Sequence, residues 1–143
     1  FNTALRARYP RLTTAETDRT TTQEGYDALL ARARGSDLVV VSLYVTTVSY
    51  SGQIAIPEAT ASFLTRLAGE RVPHVVISFG NPYLLRDFPA VQAYLLAWSG
   101  ADVSQRAAVR ALFGEIPIQG RTPTRIPPFF EVGAGIQLPV RER

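Results

Sequence analysis

Two short apolar runs, LVVVSLYV at Leu38–Val45 and HVVISF at His74–Phe79, constrain this chain more than any other feature. Each is nearly continuous and rich in β-branched residues, as expected for a strand buried on both faces of a parallel sheet. AYLLAW (Ala93–Trp98) reads as a weaker third strand, and LTTAET (Leu12–Thr17) as a fourth, more polar one near an edge. Parallel strands need crossover connections, and the intervening segments have the periodicity and punctuation of helices.

The first such helix follows Thr21 and Glu24, whose spacing is that of a capping box. Tyr26, Leu29, Leu30 and Ala33 then form an apolar stripe, and Gly35 stands where a closing glycine is expected. A second helix opens at Pro57 with Glu58 in its first turn, turns Phe63, Leu64, Leu67 and Ala68 inward, and closes at Gly69. Ser104 is the expected cap of a third, whose Ala107, Ala108, Ala111 and Leu112 allow close approach to a sheet before Gly114 ends it. Residues 1–9 read as a further helix. If that helix is a crossover, a strand is expected before it, and the chain starts at Phe1 rather than at a methionine, as a piece of a longer polypeptide would. The expected fold is α/β: a three-layer α/β/α sandwich with a mostly parallel sheet, Rossmann-like but without a dinucleotide motif, in one domain spanning residues 1–143.

Composition narrows the function. All 15 basic side chains are arginines, scattered rather than clustered, so no nucleic-acid face is expected. The longest apolar run falls far short of the roughly 20 residues of a membrane span. With no lysine there is no P-loop, with no cysteine no thiolate metal site, and with one histidine no histidine-rich metal centre. The GAG at 133–135 has no helix after it, so no dinucleotide is bound there. No cofactor is expected.

His74 follows Pro73 at the start of a strand, whereas ligand chemistry in open α/β sheets gathers at the carboxyl ends, so no catalytic role is assigned to it. Glu24, Asp27, Glu58 and Glu70 fall on helices as solvated or dipole-compensating groups, and Asp37, Asp87 and Asp102 in loops or caps. The carboxyl-end loops are Thr46–Ile56, Gly80–Leu85 and Ser99–Ser104. Tyr50, Gln53, Asn81, Tyr83 and Trp98 supply aromatic and amide groups suited to a sugar or a partner surface. The competing reading makes Asn81-Pro82 a simple turn and Trp98 a core residue.

Taken in order, HVVISFGNPYLLRDFP, AYLLAW, SQRAAVRALFGEIPIQGRTPTRIP and VGAGI resemble the C-terminal α/β domain of family 3 glycoside hydrolases. The matching elements are Gly80–Pro82, Leu112–Gly114, Gly120–Pro127 and Gly133–Ile136, within a resemblance covering roughly residues 38–138. The resemblance implies that the nucleophile belongs to an N-terminal (β/α)8 barrel, absent from this chain. In the β-glucosidase branch the second domain lends a glutamate from a loop matching Thr46–Ile56, which here has neither aspartate nor glutamate. The β-N-acetylglucosaminidase branch, whose acid/base dyad sits on the barrel, is the closer likeness through SFGNPYLL and SQRAAVRALFGE.

The expectation is therefore a non-catalytic companion domain, inactive alone, with the barrel and a β-linked N-acetylglucosamine glycan as partners. Its contacts are expected through Tyr50, Gln53, Asn81 and Tyr83. The alternative is a free-standing carbohydrate- or protein-binding domain on the same fold. The proline-rich segment after Gly114 is expected to be a structural strap, anchored by Arg121 donating to carbonyls or a carboxylate.

Overall fold

The computed structural model describes residues 1–45 and 55–142. The fold is α/β, with helices α1 (Asn2–Arg8), α2 (Gln23–Ala33), α3 (Glu58–Gly69) and α4 (Asp102–Leu112) and strands β1 (Val39–Leu43), β2 (His74–Ser78) and β3 (Tyr94–Leu96). A 3-10 helix, Pro82–Asp87, follows β2. The chain divides into two compact units: Thr13–Trp98, which holds the sheet, and Phe1–Leu12 with Ser99–Arg143.

In the first unit the strands run parallel in the order β1-β2-β3. The register pairs Val39 with His74 and Leu43 with Ser78 on one side of β2, and Val76 with Tyr94 and Ser78 with Leu96 on the other. The apolar run of β2 makes it the central strand: Val76, Ile77 and Ser78 have no exposed surface. β1 departs from the expectation of burial on both faces. It is an edge of the described sheet, and its residues up to Ser42 are only half-buried. Leu12–Thr17 is not a strand either; it is irregular, mostly exposed chain with no ladder partner among the described residues. Its polar side chains give it nothing to bury.

Helix α3 lies in the crossover from β1 to β2, the 3-10 helix lies between β2 and β3, and α2 precedes β1 and packs with α3. Tyr26, Leu30, Ala33, Phe63, Leu64 and Leu67 are buried, the Tyr26 and Phe63 rings meet at 5.7 Å, and a buried 2.7 Å hydrogen bond joins the Tyr26 and Thr60 hydroxyls. Arg34 binds Glu70 through two 2.7 Å hydrogen bonds, and Arg66 pairs with Asp27.

Helix ends differ in detail from the sequence reading. Thr22, not Thr21, caps α2 by accepting from the Gly25 N–H; Thr21 instead joins the turn built on Asp18. The chain leaves α2 through Arg34 in right-handed geometry, so Gly35 is not a left-handed cap. After α3 the left-handed residue is Arg71 (φ 56°) rather than Gly69. The Arg71 N–H donates to Ala68 and the Val72 N–H to Leu67, the pattern of a Schellman motif. α4 starts at Asp102 after Ala101, with Ser104 inside its first turn. Asp102 offers the N-terminal dipole a charge that Ser104 lacks, and pairs with Arg106 one turn on. Its far end matches expectation: Gly114 (φ 67°) closes a second Schellman motif, its N–H bonded to Ala111 and that of Glu115 to Arg110. The buried residues of α4 are Ala108 and Val109.

In the second unit the segment after Gly114 folds back on itself. Ile118 and Leu138 exchange two 2.9 Å backbone hydrogen bonds, Thr122 bonds Ala134 and accepts from Gly133, and Arg141 returns to Gly114. Arg121 donates to the Gly133 carbonyl at 2.9 Å, the anchoring expected of it. Glycine is required where the two arms cross, because a Cβ on Gly135 would stand 2.4 Å from the Gly120 carbonyl oxygen.

Two substitutions check this packing. Val76→Asp places an unpaired charge at the centre of the sheet and is expected to cost roughly 3–5 kcal/mol, enough to abolish the cooperative thermal transition. Gly135→Ala forces backbone apart and is expected to cost about 1–3 kcal/mol, with amide exchange accelerating first at Thr122 and Leu138.

Candidate functional site

The parallel register sends the chain ends after Leu43, Ser78 and Leu96 to one edge of the sheet. That carboxyl edge is where open α/β sheets receive ligands. The loop after β1 is tied to the loop after β2 by two backbone hydrogen bonds: the Phe79 N–H donates to Leu43 at 2.9 Å and the Asn81 N–H to Val45 at 3.0 Å. The Ala97 N–H donates to Ser78, so the exit from β3 is held in the same way.

Asn81 organises the middle of this edge. Its side chain accepts from the Tyr83 N–H at 2.9 Å and so caps the 3-10 helix, while its carbonyl accepts from the Ser78 hydroxyl at 2.7 Å. It is 4% exposed. Asn suits the position because its short amide satisfies the first free N–H of a helical turn that Pro82 starts. Tyr83, two residues on, is 40% exposed. Tyr50 and Gln53 lie outside the described residues.

Two aromatic residues join Tyr83 at this edge. Tyr44 directly follows β1 and is 48% exposed; its ring stacks on that of buried Phe79 at 4.9 Å and 12°. Partial burial raises its phenol pKa, and a hydrogen bond with Ser42 opposes this. Trp98, two residues past β3, is 43% exposed and takes a left-handed backbone (φ 60°). It is therefore not the core residue that one reading of the sequence made it. A bulky side chain there costs about 1–2 kcal/mol, so the surrounding structure holds it in place.

Behind them, Tyr94 is pushed up to about 12, mainly by burial; a hydrogen bond to Ser78 opposes this and the charge of Asp87 adds to it. Its hydroxyl reaches the Pro82 carbonyl at 3.3 Å. Asp87 sits 3.7 Å from Arg86, and its Oδ2 is buried without a hydrogen-bond partner among the described residues.

The other polar clusters are structural. His74 begins β2 at the amino edge, 2% exposed, with Nδ1 2.8 Å from the Val72 carbonyl. Asp27 is held below its usual pKa by hydrogen bonds from Arg66 and Gln23, and Glu70 by those from Arg34. In the second unit a surface hollow of about 640 Å3 is lined by Phe113, Gly114, Glu115, Val140, Arg141 and Glu142. Its Glu115 is bound to Arg8 at 2.5 Å and approached by Arg110 at 3.6 Å. No group of three or more metal-ligating side chains forms among the described residues, and no described helix is long and apolar enough to cross a membrane.

Sequence reasoning placed Asn81 and Tyr83 at this edge but missed Tyr44. Tyr44 lies inside the nearly continuous run Leu38–Val45, and nothing in that run marks Leu43 as the last paired residue.

The Asn81 cap is testable. Asn81→Ala is expected to cost about 1–2 kcal/mol, read as a fall of several degrees in Tm, with Asn81→Asp losing less because its carboxylate still accepts from Tyr83.

The chain matches the family model described as glycosyl hydrolase family 3 C-terminal domain over residues 2–138. No curated protein and no solved structure matches it.

Proposed function

Because the chain belongs to the glycosyl hydrolase family 3 C-terminal domain family, we propose that it is the non-catalytic companion of an N-terminal (β/α)8 barrel. The whole enzyme hydrolyses β-linked N-acetylglucosamine glycans; this domain frames the active site, and the barrel supplies the reacting carboxylate. The observation that carries the reading is the family match along nearly the whole chain.

The state of the carboxylates supports it. A general acid or base works best with a pKa near the operating pH. Asp27 and Glu70 are shifted the other way by their arginines, and Asp18 by hydrogen bonds from Thr20 and Thr21. Each is committed to holding a helix or turn in place. The N-acetylglucosamine specificity rests on the likeness of SFGNPYLL and SQRAAVRALFGE to that branch. The first stretch forms the Asn81-capped turn at the carboxyl edge, and the second forms α4 with its Gly114 closure. Both are surfaces a neighbouring domain would use.

The purified 143-residue chain is expected to release no chromophore from 4-nitrophenyl β-N-acetylglucosaminide or β-glucoside. Fused behind a family 3 barrel of the N-acetylglucosaminidase type, it is expected to support turnover of the former. Steady hydrolysis by the chain alone, lost when one of its own carboxylates is replaced by its amide, overturns the reading.

A further inference from the structure

The three aromatic residues at the carboxyl edge carry a more specific conclusion, which rests on the proposed glycosidase role. We infer that Tyr44, Tyr83 and Trp98 form a stacking surface that binds the pyranose rings of a glycan chain.

Four observations converge on it. First, placement: one exposed aromatic follows each parallel strand, and the paired positions Leu43, Ser78 and Leu96 bring all three to the same edge. Adjacent strands lie about 4.8 Å apart, so loops leaving three neighbouring strands span a width comparable to two or three sugar rings.

Second, segregation: among the described residues of the Thr13–Trp98 unit the large exposed hydrophobic side chains are Leu38, Tyr44, Tyr83 and Trp98. The aliphatic one, Leu38, is at the opposite, amino edge before β1. Exposed aliphatic residues such as Val132, Ile136 and Leu138 belong to the other unit. A set of neutral rings bearing hydroxyl or indole N–H tips fits a sugar, which offers C–H faces ringed by hydroxyls.

Third, rigidity: the Tyr44 ring is backed by Phe79, Tyr83 stands on the Asn81-capped turn, and Trp98 is held in an unfavourable backbone region. Pre-ordered rings lose little entropy when a ligand stacks on them. Backbone strain of this kind also concentrates at functional positions. Fourth, charge: tyrosine and tryptophan rings carry no formal charge near neutral pH, as stacking on an uncharged sugar requires.

Trp98 is the chain's single tryptophan, so its fluorescence reports on the site directly. Titrating the purified chain with triacetylchitotriose is expected to change that emission saturably, with a Kd of about 0.1–10 mM, matched by calorimetry. Tyr83→Ala and Trp98→Ala, followed by calorimetry, are each expected to weaken binding about tenfold with Tm unchanged. Tyr44→Phe is expected to bind as the parent does, because the ring and not the hydroxyl makes the contact.

Saturation of the aromatic protons in the unmodified chain is expected to transfer to the sugar C–H protons, a readout that needs no variant to fold. Absence of any response up to ~20 mM sugar, absence of that transfer, or undiminished binding by Tyr83→Ala and Trp98→Ala overturns the inference. A response to an added barrel domain but not to sugar also overturns it, and makes the surface a protein-docking face. None of these outcomes touches the companion-domain reading, which falls only if the chain itself hydrolyses glycosides.

Discussion

The parallel ladder through β2 is the constraint on which the candidate site depends. All five of its residues pair with β1 and three of them, Val76 to Ser78, also pair with β3, so the two registers are set together. Because side chains alternate along a strand, a slip of one residue would exchange Val76 and Ser78 with Ile77 between two buried faces and take the Ser78 hydroxyl from the Asn81 carbonyl. The same ladder aligns Leu43, Ser78 and Leu96. What emerges beyond them, Tyr44, the Asn81 turn and Trp98, is positioned by backbone pairing before any side chain there makes a contact.

The second unit solves a different problem. Its C-terminal segment has isolated bridges instead of a regular sheet, so its order comes from single features. Ile118 and Leu138 pair, as do Ile126 and Phe130. Gly135 lets the arms pass at a distance no side chain tolerates, with the Gly120 carbonyl against it. Arg121 ties the turn to the Gly133 carbonyl, and Arg125 pairs with Glu131 across it at 2.9 Å. Prolines limit the conformations open to the unfolded segment, which offsets its small buried area.

Arginine-only basicity is put to structural use in both units. Arg34 grips Glu70 with a two-pronged contact that a lysine could not make. Arg8 does the same to Glu115. These pairs are exposed and individually worth little. Their consequence is chemical: the Arg34 contact holds Glu70 below its usual pKa, and both carboxylates are occupied by their arginines.

The sequence by itself determined the fold class, the three strand positions, the helices between them and the closing role of Gly114, because apolar runs, periodicity and glycine conformation are local properties. The likeness to family 3 glycoside hydrolases was also legible, carried by motifs in a fixed order. The placement of Asn81 and Tyr83 beyond a strand end could be read, since Asn-Pro marks a turn. Only the three-dimensional structure decided that β1 is an edge of the described sheet, that Thr22 and Arg71 take the roles read onto Thr21 and Gly69, and that Tyr44 and Trp98 face solvent. Burial and register are settled by neighbours distant in sequence, which no local pattern records. The caps are settled within a few residues, where Asp18 engages Thr21 and the Leu67 and Ala68 carbonyls receive the turn at Arg71, a choice among near-equal local partners that spacing alone does not rank.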